Sequence, residues 1–449
     1  MNRWMWFLVG AAGALVICAC VAMLVVAGAA LWYGSSPPEV SVLATDTPTP
    51  PEPLSTLSPT PRVDASPTAV PSSPTPEPDR LDVDAALLAR AEQTLRVIEE
   101  TDMPQRDLFE IAVRLGRIPQ DASRVVSEVD PGYATGDLLT FTVANQVTNT
   151  NESQEAALRA QTEHANWWVA TDVTVDQAAL ERSARFFEEQ TYPTNRALFG
   201  SEWTPGVDGD PRVNIFLGVV AGVGGYYSSA DEFPRSINPN SNEKEIFYIN
   251  VDNAQPGNSY FDGILAHEFQ HMIHWNNDRN EGTWVNEGLS ELAAVVNGFE
   301  YDGSAAAFAR DPDLPLTHWF EQTSPYYGSA YLFVRYFQQR FGDDAIGELV
   351  QEQRDSIAGI NAVLEDEGLS FDELFADWTI ANLLDDPAVA EGQYDYADDA
   401  ASRPTLGEQV VRYPQGGDAD VSQYGTDYLE FSPGSEDGDF TFTFEGDPI

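Results

Sequence analysis

The sequence predicts an α+β fold, on three observations. Short apolar runs at Leu138–Val143, Trp167–Val169, Val213–Val220 and Glu245–Val251 have the length and β-branched or aromatic content of strands. After Asn258 the periodicity changes to the three-to-four-residue spacing of amphipathic helices, with starts near Ser259, Thr283, Tyr326, Asp343 and Phe371. Strands therefore come first and helices afterwards, which is the segregated layout of α+β rather than the alternation of a doubly wound sheet.

Taken in chain order, the first element is a run of roughly thirty uncharged residues from Trp4 to Tyr33. It exceeds the ~20 residues a bilayer-crossing helix needs, and Trp4, Trp6, Trp32 and Tyr33 sit where interfacial anchors belong. A single transmembrane helix is expected, with Arg3 inside and the rest of the chain outside. A secretory signal cleaved near Ala27-Gly28-Ala29 is the alternative. Residues 35–79 are dominated by Pro, Thr and Ser, too polar to bury a core and stiffened toward polyproline II, so they read as a stalk. Leu81–Glu100 and Arg106–Leu115 have helical apolar spacing, and so does Asp176–Gln190. Val207-Asp208-Gly209-Asp210 reads as a turn, since a calcium loop needs more oxygen ligands at fixed spacing. Alternation in Phe440-Thr441-Phe442-Thr443-Phe444 signals a C-terminal β module that stops at Ile449 short of a closed sheet.

Charge narrows the function. The 449 residues carry 72 acidic and 23 basic side chains, a net −49, and Lys244 is the sole lysine. Nucleic-acid binding needs basic residues to displace counterions, so that class is excluded, as is adhesion to anionic lipid. The only cysteines, Cys18 and Cys20, lie in the apolar run, which rules out a cysteine zinc site in the folded part.

The chemistry lies in His267-Glu268-Phe269-Gln270-His271. With five histidines in the chain, about 0.004 chance occurrences of this spacing are expected, so coincidence is a poor explanation. Ser259 and Asp262 suggest a capped helix start, and on that helix His267 and His271 stand one turn apart on one face, able to meet a single ion. Glu268 is rotated off their axis, toward a metal-bound water rather than the metal. A catalytic zinc usually takes three protein ligands. His274 is seven residues from His267, ~10 Å along the helix, and cannot be the third. Glu287 can, if the chain reverses at Asp278–Gly282 and a second helix, capped by Thr283, returns beside the first. Glu291, one turn on, is then placed to accept a ring N–H from one histidine.

His267-Glu268-x-x-His271 followed by Asn286-Glu287-x-x-Ser290-Glu291 resembles the gluzincin metallopeptidases. The wider string HEFQHMIHWN…WVNEGLSELA is most similar to hyicolysin-like and immune-inhibitor-A-like secreted bacterial peptidases. The likeness is specific over Tyr226–Asn297 and looser through Tyr327–Phe333 and Phe375–Trp378. It implies a zincin-type catalytic domain, Zn2+ held by His267, His271 and Glu287, and Glu268 as general base on a zinc-activated water. For the oxyanion donor, Tyr327 matches the place where related gluzincins put a tyrosine hydroxyl; Tyr326 and His318 are the other candidates. Gly224, Gly225 and Tyr226 would supply an edge strand that pairs with an extended peptide. The interval from His271 to Glu287 is shorter than in thermolysin-like enzymes, so thermolysin pockets do not carry over. No G-x-x-H follows His271 to supply a metzincin ligand.

The expected organisation is an anchor or signal-anchor at 1–34, a stalk at 35–79, a helical segment at 80–130, a gluzincin-like catalytic domain at 131–400 and a β segment at 401–449. The expected activity is zinc-dependent endopeptidase cleavage of protein or peptide substrates by a membrane-tethered, extracellular head. The alternatives are a catalytically idle binding ectodomain with zinc as a structural clip, and an aminopeptidase on the same scaffold. An idle site has no use for Glu268, and an aminopeptidase needs an acidic anchor for the substrate amine.

Overall fold

The computed structural model describes residues 106–299, 302–320 and 324–396 without interruption, together with 90–91, 93–97, 403–411, 416–432 and 441–443. The run Trp4–Tyr33, the 35–79 stalk and the ends of the Leu81–Glu100 helix lie outside them. Among the described residues no helix is long and apolar enough to cross a membrane. By its contacts the chain divides into a unit spanning 36–103 and a larger unit holding 104–449. In the smaller unit, residues 90–97 are helical where described, with Thr94 Oγ1 donating to the Arg90 carbonyl at 2.8 Å.

The larger unit begins with α1 (Leu108–Arg114), capped by the Asp107 carboxylate, which accepts from the Phe109 and Glu110 N–H groups. Six strands then form one mixed sheet: β1 (Leu138–Asn145), β2 (Thr150–Gln161), β3 (Ala165–Ala170), β4 (Val213–Gly218), β5 (Gly225–Tyr227) and β6 (Ile246–Asn250). Their spatial order is β1-β2-β3-β4-β6-β5. The β3-β4 and β4-β6 pairs are parallel and the others antiparallel. Every residue of β3, β4 and β6 is buried. Both sheet faces are covered there, which is why these strands read as unbroken apolar runs rather than alternating ones. Trp167, Ile215, Leu217, Phe247 and Ile249 face the larger core under the helices. Trp168, Phe216 and Tyr248 face a smaller core with Phe141 and Leu158.

Helices α2 (Gln177–Phe186) and α3 (Tyr192–Phe199) are joined by a π-helical turn at Phe187–Thr191. The expected single helix over Asp176–Gln190 is thus interrupted near Phe187, whose ring is buried against Trp167 and Phe269. The helical lobe follows with α4 (Ser259–Asn277), α5 (Thr283–Val296), α6 (Asp302–Arg310), α7 (Ser324–Gln351), α8 (Ser356–Val363) and α9 (Phe371–Leu384). Within α7, Gly342 adopts φ 83°, a break that makes Asp343 a second helix start.

Two caps differ from expectation. Asn258, rather than Ser259, caps α4, its Oδ1 accepting from the Phe261 N–H at 2.8 Å. Gly282 precedes α5 and no side chain caps it; Trp284 Nε1 instead donates to Ser356 Oγ at 2.7 Å. The Val207–Asp210 segment is a turn, pinned by a 2.6 Å ion pair from Lys244 Nζ to Asp208 Oδ2. The C-terminal β segment is a two-stranded parallel pair, β7 (Glu408–Val410) with β8 (Leu429–Phe431). Residues 441–443 form no strand, and Phe440 and Phe444 lie outside the described residues.

Candidate metal centre

Helix α4 presents the motif as its spacing predicts. His267 Nε2 and His271 Nε2 stand 3.1 Å apart. Helix α5 runs back alongside: Asn286 faces His271, Ser290 faces Gln270 and His271, and Glu291 faces His267. That direction brings Glu287 Oε2 to 3.4 Å from His267 Nε2 and 3.6 Å from His271 Nε2. Ligands held 2.0–2.1 Å from a tetrahedral zinc stand about 3.4 Å from one another. Two imidazoles and one carboxylate at these separations therefore fit Zn2+, with the fourth tetrahedral position open.

Both imidazoles are held from behind. His271 Nδ1 lies 2.7 Å from Asn286 Oδ1 and 2.9 Å from Ser290 Oγ. The Ser290 hydroxyl donates to Gln270 Oε1 at 2.5 Å, which leaves its oxygen to accept from the ring. His267 Nδ1 lies 3.4 Å from Oε1 of Glu291, whose side chain is wholly buried. These contacts place the ring protons on Nδ1 and leave both Nε2 lone pairs directed at the shared point. Glu291 thus stands where the sequence put it. Asn286, Ser290 and Gln270 went unassigned; the one available signal was that Asn286 and Ser290 lie four residues apart on one face of α5.

Burial alone would raise the Glu287 carboxyl, but the charges of His271 and His267 outweigh it and hold Glu287 far below the usual range. His271 shows the reciprocal effect: burial lowers it, Glu287 raises it, and the result is about 9. Without a metal these groups form an ion pair, so a divalent ion must displace that proton to bind.

Glu268 is buried and outside the ligand triangle. Burial raises its carboxyl above the ordinary range, opposed by the nearby His267 and His271. The backbone N–H of Tyr227 on β5 is near enough to lower it as well. That strand is the sheet edge, paired only with β6. The Asn250 N–H donates to the Gly224 carbonyl at 2.7 Å, so alternation turns the backbone groups of Gly225 and Tyr227 outward. A Cβ on Gly225 would come within 2.6 Å of Ile264 Cγ2 and 3.1 Å of Glu268 Oε1, so only glycine lets the edge lie this close to the carboxylate. Tyr226 corrects the expectation in part. Its side chain faces the opposite core, stacked on Tyr248 with centroids 4.3 Å apart, and its hydroxyl accepts from the Ala144 N–H. By the same alternation the backbone of Tyr226 faces β6, as does the Gly224 carbonyl, so of the three expected residues only Gly225 presents its backbone outward.

Of the three oxyanion candidates, Tyr327 alone stands at the site. Helix α5 approaches α7 closely at Gly288, where a Cβ would lie 2.7 Å from the Ala330 carbonyl oxygen. This brings the buried Tyr327 to the centre, its ring centroid 6.4 Å from that of His267. Burial, then Glu287, Glu291 and Glu268, push its hydroxyl well above the usual phenol range, so it stays a proton donor. Tyr326 turns toward Trp319 and Phe320, and His318 is exposed beside Phe320.

No family model matches the chain. It is similar to the neutral metalloprotease ShpI of Staphylococcus hyicus, 24% identical over 278 residues, 55% of this chain. The match spans 62% of that relative's length, so the chain does not cover all of it. Among solved structures it overlaps an M1 zinc metallopeptidase mutant from Deinococcus radiodurans bound to a Tyr-Ser-Ala substrate. That overlap has a TM-score of 0.32 and 14% identity over 54% of this chain and 50% of the other.

Proposed function

We propose that this chain is a zinc-dependent endopeptidase of the gluzincin type, nearest in motif to the hyicolysin-like secreted peptidases. The observation that carries the reading is Glu268: a buried carboxylate beside, but outside, the His267–His271–Glu287 triangle, close against the sheet edge at Gly225. A purely structural zinc clip gives such a group nothing to do. The name of the Staphylococcus hyicus relative supports the same chemistry.

When bound, zinc supplies Lewis acidity, lowering the pKa of a coordinated water toward ~7 and polarising a carbonyl. Glu268 takes a proton from the attacking water as its oxygen bonds to the peptide carbon. The Tyr327 hydroxyl donates to the oxygen that becomes negative. Glu268 then delivers its proton to the leaving nitrogen as the C–N bond breaks. The outward backbone of Gly225 aligns an extended substrate along the edge. Cleavage within chains is part of the proposal; aminopeptidase action would need, besides Glu268, a second carboxylate placed to hold the substrate amine.

Casein hydrolysis by the full chain tests the reading: activity should vanish on zinc chelation and return on adding zinc. Chelation-resistant hydrolysis would refute it. Tethering by residues 4–33, with the head outside, is part of the proposal. Fractionation with membranes and release by added protease at the 35–79 stalk would support it; soluble protein beginning near Ala30 would show cleavage instead.

A further inference from the structure

A second cluster of ligating side chains lies behind the first, on the turn that joins α4 to α5. His274 is in the last turn of α4, Asp278 is its C-cap four residues on, and Glu281 follows within the turn. One donor atom from each lies within 4.8 Å of the other two. That closeness lets one ion reach a donor from each of the three.

The independent observation is His274. It is 1% exposed, and neither ring nitrogen has a hydrogen-bond partner at ordinary geometry. Asn286 is the polar side chain that approaches the ring, and its Oδ1 is already engaged by His271 at 2.7 Å. A buried imidazole normally finds at least one partner, because water has been removed from both nitrogens. Glu281 is fixed from outside, its Oε1 accepting from the Ser356 N–H at 2.7 Å and from the Gly282 N–H. This leaves Oε2 buried and without a hydrogen-bond partner. The charges of Asp355 and Glu352 act on Asp278, and both are negative.

We propose that His274, Asp278 and Glu281 form a second divalent-metal site, distinct from the His267–His271–Glu287 centre. One imidazole with two carboxylates suits zinc, manganese or cobalt rather than calcium, which prefers oxygen alone. Two carboxylates also balance the charge of one divalent ion. The ion clips the 278–282 turn, the segment that sets where α5 returns and hence where Glu287 meets the two histidines. The site does not depend on the peptidase reading.

The test is metal content of the full-length protein, loaded with Zn2+ and dialysed against metal-free buffer, for wild type, Glu281→Gln, His274→Asn and Glu287→Ala. About two ions per chain are expected in wild type and about one in each variant. Thermal melting of Glu281→Gln should no longer respond to the second equivalent of zinc. One ion in wild type that survives Glu281→Gln and His274→Asn but is lost in Glu287→Ala would overturn this site and leave the peptidase reading standing. Two ions in wild type that persist in both Glu281→Gln and His274→Asn would also overturn it. If those variants fail to fold, the wild-type count decides alone: one ion or none refutes the second site.

Discussion

His271 Nδ1 lies 2.7 Å from Asn286 Oδ1, so the residue immediately before the proposed third ligand orients one of the first two. Helix α5 thus contributes twice in consecutive positions, Glu287 to the ion and Asn286 to the ring that faces it. Asn286→Ala should remove this orienting contact while leaving all three ligands. A loss of about 10–100-fold in zinc affinity is expected, measured by chelator competition at the His267–His271–Glu287 centre. Unchanged affinity would mean that Ser290 alone fixes the ring.

Tyr327→Phe should reduce kcat by ~10²–10³ with KM little changed and zinc retained, because the hydroxyl acts only once the oxygen becomes negative. Tyr326→Phe is the control. Its ring turns toward Trp319 and Phe320, so its turnover should stay close to wild type. The opposite ranking of the two variants would reassign the oxyanion donor.

What the sequence made legible, and what it did not, follows from the range of each interaction. The i, i+4 pair His267 and His271 was readable because helical geometry alone brings them together. Glu287 needed only the further inference of a reversal at Asp278–Gly282. Strand β2 was missed because Thr150–Glu155 is polar and mostly exposed, with burial starting only at Ala156 and Leu158. Helices α6 and α8 were missed for want of a long apolar stripe. The burial of Tyr226 in the opposite core was hidden because strand parity depends on register, which for a three-residue edge strand is set by its partner β6. Tyr327 was preferred over Tyr326 only through the resemblance; what places its ring beside His267 is the close approach of α5 to α7 at Gly288, a tertiary fact.

A pH dependence of stability follows from two buried acids outside the His267–His271–Glu287 centre. Burial pushes Asp231 up to about 7, against hydrogen bonds donated by the Asn242 N–H and the Tyr248 hydroxyl. Burial likewise pushes Glu232 up to about 8, although the Tyr227 hydroxyl donates to it at 2.6 Å. Both folded values exceed the ordinary 3.8 and 4.5. Between those limits the unfolded chain holds fewer protons than the native state, so the stability these two groups contribute is present below about pH 4 and is lost as pH rises toward 7–8. Glu232→Gln keeps the carbonyl oxygen that accepts from Tyr227 but cannot ionise. It should be more stable than wild type at pH 8, by on the order of 2 kcal/mol, and no more stable near pH 4.5. Denaturant melts at the two pH values would show this, and an equal effect at both would contradict it. Comparing variant with wild type at each pH removes the contribution of general repulsion at a net charge of −49.

The central claim is that Glu268 is a base and not part of a structural clip. Glu268→Gln preserves size and shape, and it leaves His267, His271 and Glu287 untouched. Zinc content and peptide turnover should be measured on the same preparation of this variant. The account predicts zinc at the wild-type level, an unchanged fold and hydrolysis reduced by ~10²–10⁴. Wild-type turnover from a zinc-loaded Glu268→Gln sample would contradict it.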